Sequence, residues 1–122
     1  AFGDDTITID SASGDLTTIG ALTGETIITP LSTLASASAV AVTNKSYIHL
    51  NGVTDVDTFT GGVRGQHLFV KLIGAGLSLV HNTVSADTMA LADSISFVMA
   101  TGDTIHLIHD GTRWVEYGRM VR

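Results

Sequence analysis

The chain has 122 residues, of which 44% are hydrophobic and only 15% charged, a composition that suits one domain and excludes a disordered chain. Twelve acids against six Lys and Arg give a formal net charge of −6. With no basic cluster, a groove that tracks nucleic-acid phosphates is excluded as well.

In chain order, the first thirty residues repeat: "DDTITI" starts at Asp4, "GDLTTI" at Gly14 and "GETIIT" at Gly24. One short strand plus one turn fills such a ten-residue period. The stretch is expected to be a meander or a few coils of a solenoid. The same shape returns in "GDTIHL" at Gly102. Pro30 breaks the pattern, and "LSTLASASAVAVT" (31 to 43) follows as a joint. Its Ser/Val alternation favours an extended segment, with a short helix over Leu31 to Ala37 as the alternative. The expected division is therefore an N-terminal repeat-strand segment, residues 1–43, and a C-terminal β module, residues 44–122.

From Tyr47 onward the strands are plain. Asn51-Gly52 and Asp110-Gly111 each separate two apolar-alternating runs, and both dipeptides tolerate the positive φ angles of a type I′ hairpin turn. "HLFVKLIG" (67 to 74), "LSLVHN" (77 to 82) and "SISFVMA" (94 to 100) are further strands, with turns at Gly61-Gly62 and Gly74-Ala75-Gly76. The fold class expected is all-β, built of short antiparallel strands and hairpins, with a possible β-helical or solenoid N-terminal part. In "IHLIH", Ile105, Leu107 and His109 oppose His106 and Ile108, and Leu68, Val70 and Leu72 oppose His67, Phe69, Lys71 and Ile73. Apolar residues on both faces predict burial against other copies of the chain, hence homo-oligomerisation.

Residues 62 to 119 resemble a module of bacteriophage tail fibres, tailspikes and other virion surface proteins. The resemblance is carried by Gly62, Gly65 and Gln66, then His81, then Gly102 to Thr104, then Asp110, Gly111, Trp114 and Glu116. It implies a β-stranded virion component assembled as an intertwined homotrimer. The residues expected to pack or trimerise are Phe69, Leu72, His81 and Phe97, together with Leu107, His109, Trp114 and Tyr117.

Metal, cofactor and catalytic chemistry find little support. His106 and His109 are three apart and point to opposite faces of a strand, whereas a zinc pair on one strand would sit two apart. No cysteine is present for thiolate sites or disulfides, which agrees with folding in the reducing host cytoplasm. Asp55 and Asp57 share a strand face, but acids beside Gly and Thr ordinarily shape turns. No Gly-x-Ser-x-Gly elbow, phosphate loop or His-Glu-x-x-His occurs. No apolar run approaches the roughly 18 residues of a membrane span, so no membrane insertion is expected.

The expected function is a non-enzymatic virion protein, in the first place a capsid decoration or cement trimer bound to the major capsid protein. The alternative is a tail-fibre or tailspike tip that binds a host receptor or surface glycan. A depolymerase fragment is the third reading. Five acids (Asp4, Asp5, Asp10, Asp15 and Glu25) precede the first basic residue, Lys45, so the N-terminal segment is expected to anchor the protein to the virion through a negative field.

Overall fold

Alternating side chains set the strands. In β1 (Ser32–Ala35), β2 (Ala39–Ala41), β3 (Tyr47–Asn51), β4 (Thr58–Thr60) and β5 (His67–Leu72), every second residue turns inward. The same holds in β6 (Gly76–Leu79), β8 (Phe97–Ala100) and β9 (Thr104–His109); β7 (Met89–Ala90) and β10 (Trp114–Met120) complete the set. This computed structural model describes residues 31–122, so the ten-residue repeat at Asp4, Gly14 and Gly24 lies outside the described residues. The only helical piece among them is a single 3-10 turn, Ala92–Ser94. All-β is the fold class.

One layer is a six-stranded sheet in the order β1-β3-β5-β9-β10-β7. The pairs β2-β4 and β6-β8 lie on the other side of the core, linked by a bridge between Val56 and Leu79. Ile48, Leu50, Leu68, Val70, Leu72, Ile105, Leu107 and Trp114 meet Val40, Val42, Phe59, Leu77, Leu79 and Met99 in one hydrophobic cluster. The architecture is a β-sandwich.

Pairing departs from the antiparallel expectation. The pairs β1-β3, β3-β5, β2-β4 and β7-β10 are parallel, and only β5-β9, β9-β10 and β6-β8 are antiparallel. Between residues 32 and 72 the chain passes from one layer to the other and back, and each passage stacks on the one before. Solenoid-like winding therefore occurs in the described residues from β1 onward. The antiparallel β9-β10 hairpin then extends the six-stranded sheet beside β5.

This winding explains why Asn51-Gly52 closes no hairpin. Parallel β1 and β5 flank β3, and the chain after Gly52 leaves for the opposite layer. Gly52 is required there for another reason. Its φ is +135°, and a Cβ would stand 2.1 Å from Ser36 Oγ in the passage below. Gly74 repeats the corner one passage later, where a Cβ would lie 2.5 Å from the Gly52 carbonyl oxygen. Stacked corners leave no room for side chains.

The expected boundary between residues 43 and 44 is also corrected. β1 pairs with β3, β2 pairs with β4, and Val40 and Val42 belong to the core. Residues 31 to 43 are extended, as their Ser/Val alternation favours, and they are integral to the sandwich. Their removal would expose that core.

Candidate functional site

The β9-β10 hairpin carries the densest cluster of polar and aromatic residues, and its two faces meet different surroundings. On the inner face Trp114 is fully buried and its indole N–H donates to the Phe59 carbonyl at 2.9 Å. The His109 ring stands edge-on to the indole, with centroids 4.9 Å apart. Its Nδ1 accepts the Gly111 N–H at 3.0 Å, so Nε2 carries the proton and donates to Asp87 Oδ1 at 2.8 Å. Against these rings lies Gly62, where a Cβ would come within 2.5 Å of His109 Cδ2 and 2.8 Å of Trp114 Cζ2. A His–Asp pair of this kind could serve catalysis only if it were reachable. The His109 side chain is 2% exposed, and among the described residues no nucleophile's hydroxyl lies within hydrogen-bond reach of its ring. It is a structural pair.

The remaining motif residues also hold backbone. Gln66 accepts the Val63 N–H and donates through Nε2 to the carbonyls of Val42 and Lys45, pinning the loop between β2 and β3. His81 Nδ1 accepts the Leu91 N–H. Asp110 accepts the N–H groups of Thr112 and Arg113, and these donors hold its carboxyl below the ordinary range. The loop it organises is residues 110 to 113, longer than a two-residue turn, because Trp114 pairs with His109. Buried Asp103 accepts from Arg122 N–H and Ala100 N–H, which likewise depress its pKa. Asp55 and Asp57, expected to shape local turns, instead accept from Ser78 N–H and Ser38 Oγ, about twenty residues away along the chain.

On the outer face, Tyr47, Phe69 and His106 lie in one cross-strand row, since Tyr47 pairs with Phe69 and Phe69 with His106. Phe69 stacks on His106 with centroids 4.2 Å apart and planes 10° apart. Partial burial, and secondarily His67, push the His106 pKa down. Beyond this row, next to Gly118, Tyr117 is 68% exposed at the lip of an open groove of about 530 Å³. Glu116, Arg119, Asp93 and Ile95 also line the groove. Arg119 grips Glu116 with two nitrogens, and this hydrogen bonding lowers the Glu116 pKa. Its guanidinium also lies 4.0 Å over the Phe97 ring, and Glu116 accepts the Ala92 N–H. Asp93 and Ser94 sit consecutively in the left-handed region (φ 58 and 57), a strained backbone at the groove's edge.

The expected packing residues thus separate. Leu72, Leu107, Phe97, His109 and Trp114 are buried, and His81 is half-buried, whereas Phe69 and Tyr117 face solvent. Arg119 pairs with Glu116, whereas Arg113 Nε is buried without a partner among the described residues. Sequence reasoning missed the partnership of His109 with Asp87, 22 residues away, and the meeting of His67 with His106, 39 residues away. The only signal for the second was a His at the start of one strand and another inside a later one. Among the described residues no helix is long and apolar enough to cross a membrane.

Residues 25–115 match the family model of the phage depolymerase C-terminal beta sandwich domain. No curated protein and no solved structure matches the chain. The match supports the tail-fibre or tailspike alternative and gives no support to the capsid-decoration reading. With three quarters of its length matched and two strand layers around one core, this bacteriophage chain belongs to the phage depolymerase C-terminal beta sandwich family.

Proposed function

We propose that this domain is a non-catalytic tail-fibre or tailspike module that binds a host-surface glycan in the groove beside Tyr117. The observation that carries the reading is an aromatic ring 68% exposed beside hydrogen-bonding side chains already held in place. A sugar presents an apolar C–H face to a ring and hydroxyls to its flanks, and Tyr117 with Glu116, Arg119 and Asp93 offers both. Bidentate pairing fixes Arg119 and Glu116 before any ligand arrives, which limits the entropy cost of binding. In this reading the acidic stretch from Asp4 to Glu25 serves attachment to the rest of the virion. Three copies associate, and the exposed faces of Tyr47 and Phe69 supply apolar contact area.

Calorimetric titration with bacterial capsular and cell-wall polysaccharides tests the reading. Saturable binding without release of new reducing ends is expected. Binding that survives Tyr117→Ala, or cleavage of the polysaccharide by the isolated chain, would overturn it. Light scattering should report about three times the 12.7 kDa chain mass, and a monomer at micromolar concentration removes the trimer from the reading.

A further inference from the structure

The outer sheet face holds a pair of histidines that neither the buried cluster nor the groove uses. β5 and β9 are antiparallel, with His67 opposite Ile108 and Phe69 opposite His106. This register sets His67 and His106 diagonally on the same face, where side chains of neighbouring strands reach one another. Nδ1 of His67 lies 3.0 Å from Nε2 of His106, on an exposed and a half-buried ring respectively. From the convergence of these two ring nitrogens on a fixed sheet surface, we propose that His67 and His106 bind a divalent transition-metal ion.

Geometry comes first. Two imidazole nitrogens on one tetrahedral zinc ion, each about 2.0–2.1 Å from it, stand about 3.3 Å apart. The observed 3.0 Å is close to that value. As drawn together, the nitrogens share one proton in an N–H···N hydrogen bond. Turning each ring by roughly 35° aims both lone pairs at a common point off the line joining them, the angle tetrahedral coordination demands. The proton balance is simple. His67 binds through Nδ1 and keeps its proton on Nε2, while His106 binds through Nε2 and keeps its proton on Nδ1. The one proton formerly shared moves to the other nitrogen of its own ring through solvent, and two neutral ligands result.

Several features support the site. Phe69 stacked on His106 and the β5-β9 ladder hold that ring near its binding position, so little freedom is lost on coordination. A net charge of −6 favours cations in general. Lys71, four residues along β5 from His67 on the same face, opposes one weakly through solvent. The described residues bring no third His, Cys, Asp or Glu to the pair. Water therefore completes the coordination, unlike the closed four-ligand cages of structural zinc. Imidazole donors and the stability order of divalent metals predict that Cu²⁺ binds more tightly than Zn²⁺.

The test is calorimetric titration of the full chain with Cu²⁺ and with Zn²⁺ in a non-chelating buffer. One ion per chain is expected, with affinity at least tenfold weaker in His67→Ala and unchanged in His49→Ala, a histidine elsewhere on the same face. The Cu²⁺ electron-spin spectrum should show splitting from two nitrogens in the parent and one in His67→Ala. His106→Gln provides the second arm, and its metal-free melting temperature checks that the sheet is intact. Absence of saturable binding to the parent, or equal affinity in parent and His67→Ala, would overturn the assignment.

Discussion

His109 and His106 are three residues apart on β9 and live in opposite surroundings. His109 is sealed between Trp114, Gly62 and Asp87, with both ring nitrogens engaged inside the fold. His106 lies on the outer sheet under Phe69, with another histidine as its one side-chain hydrogen-bond partner among the described residues. Residue type is the same and strand face differs. The inner face demands that every polar atom be satisfied, because an unpaired group buried there costs about 1–3 kcal/mol. The outer face makes no such demand, and exposed aromatic and titratable groups accumulate on it. Binding chemistry in this domain is therefore to be sought on the face that stability leaves free.

The largest break in this contrast should come from Trp114→Ala. Removing a fully buried ring with its hydrogen bond to Phe59 should destabilise the domain by about 3–5 kcal/mol, read from denaturant unfolding. A loss below about 1 kcal/mol would show that the inner cluster does not hold the hairpin to the core.

A graded pair at Asp87 comes next. Asp87→Ala leaves the His109 Nε2–H without an acceptor and should cost about 1–3 kcal/mol. Asp87→Asn keeps an acceptor and tolerates the local φ of 60°, so most of the stability should remain. Equal losses in the two variants would mean that the second carboxylate oxygen, which accepts the Gly61 N–H, contributes as much as the one that meets His109.

Acid should act through two depressed carboxyls. Asp103 and Glu116 have folded-state pKa values below their unfolded ones, the first from backbone N–H donors, the second from Arg119. Their contribution is complete above the unfolded values, near pH 4, and is lost as pH falls through the folded values. Melting temperature measured from pH 7 to pH 2 should fall mainly below about pH 4. For Asp103→Asn the fall should be shallower, since one of those carboxyls no longer titrates.

Period-two alternation grouped Leu68, Val70 and Leu72 on one face of their strand and Ile105 and Leu107 on one face of theirs directly from the sequence, and the succession of strand and turn signals indicated all-β. The parallel winding was not legible in the same way. A strand's apolar pattern is identical whether its neighbour runs parallel or antiparallel, so Asn51-Gly52 read as a hairpin when it is a stacked corner. The positive φ of Gly52 satisfies both readings, and only the contact with Ser36 separates them. Site residues divide similarly. Trp114 and His109 stood out through a dense local run, whereas Asp87 and His67 lay far along the chain and carried no local mark. Which histidine meets which is decided by the β5-β9 register, and register depends on the whole sheet.

The smallest stability effect, and the sharpest functional one, should come from Tyr117→Ala. The ring is 68% exposed, and its one aromatic neighbour among the described residues, His106, is 6.1 Å away by centroid and tilted. Surface truncations away from caps, cavities and buried pairs fall within about 0.5 kcal/mol of the parent. Glu116 and Arg119 keep each other in place without Tyr117, so the polar half of the groove persists in the variant. Polysaccharide binding should then fall at least tenfold while unfolding stays the same, because only the stacking surface has gone. Trp114→Ala supplies the opposite pattern, with stability lost first and binding lost only through unfolding. If Tyr117→Ala instead weakens self-association and leaves polysaccharide binding intact, the groove beside Tyr117 is an interface between copies rather than a receptor surface. That result would add Tyr117 to the contact area of Tyr47 and Phe69 and leave the inner cluster's role unchanged.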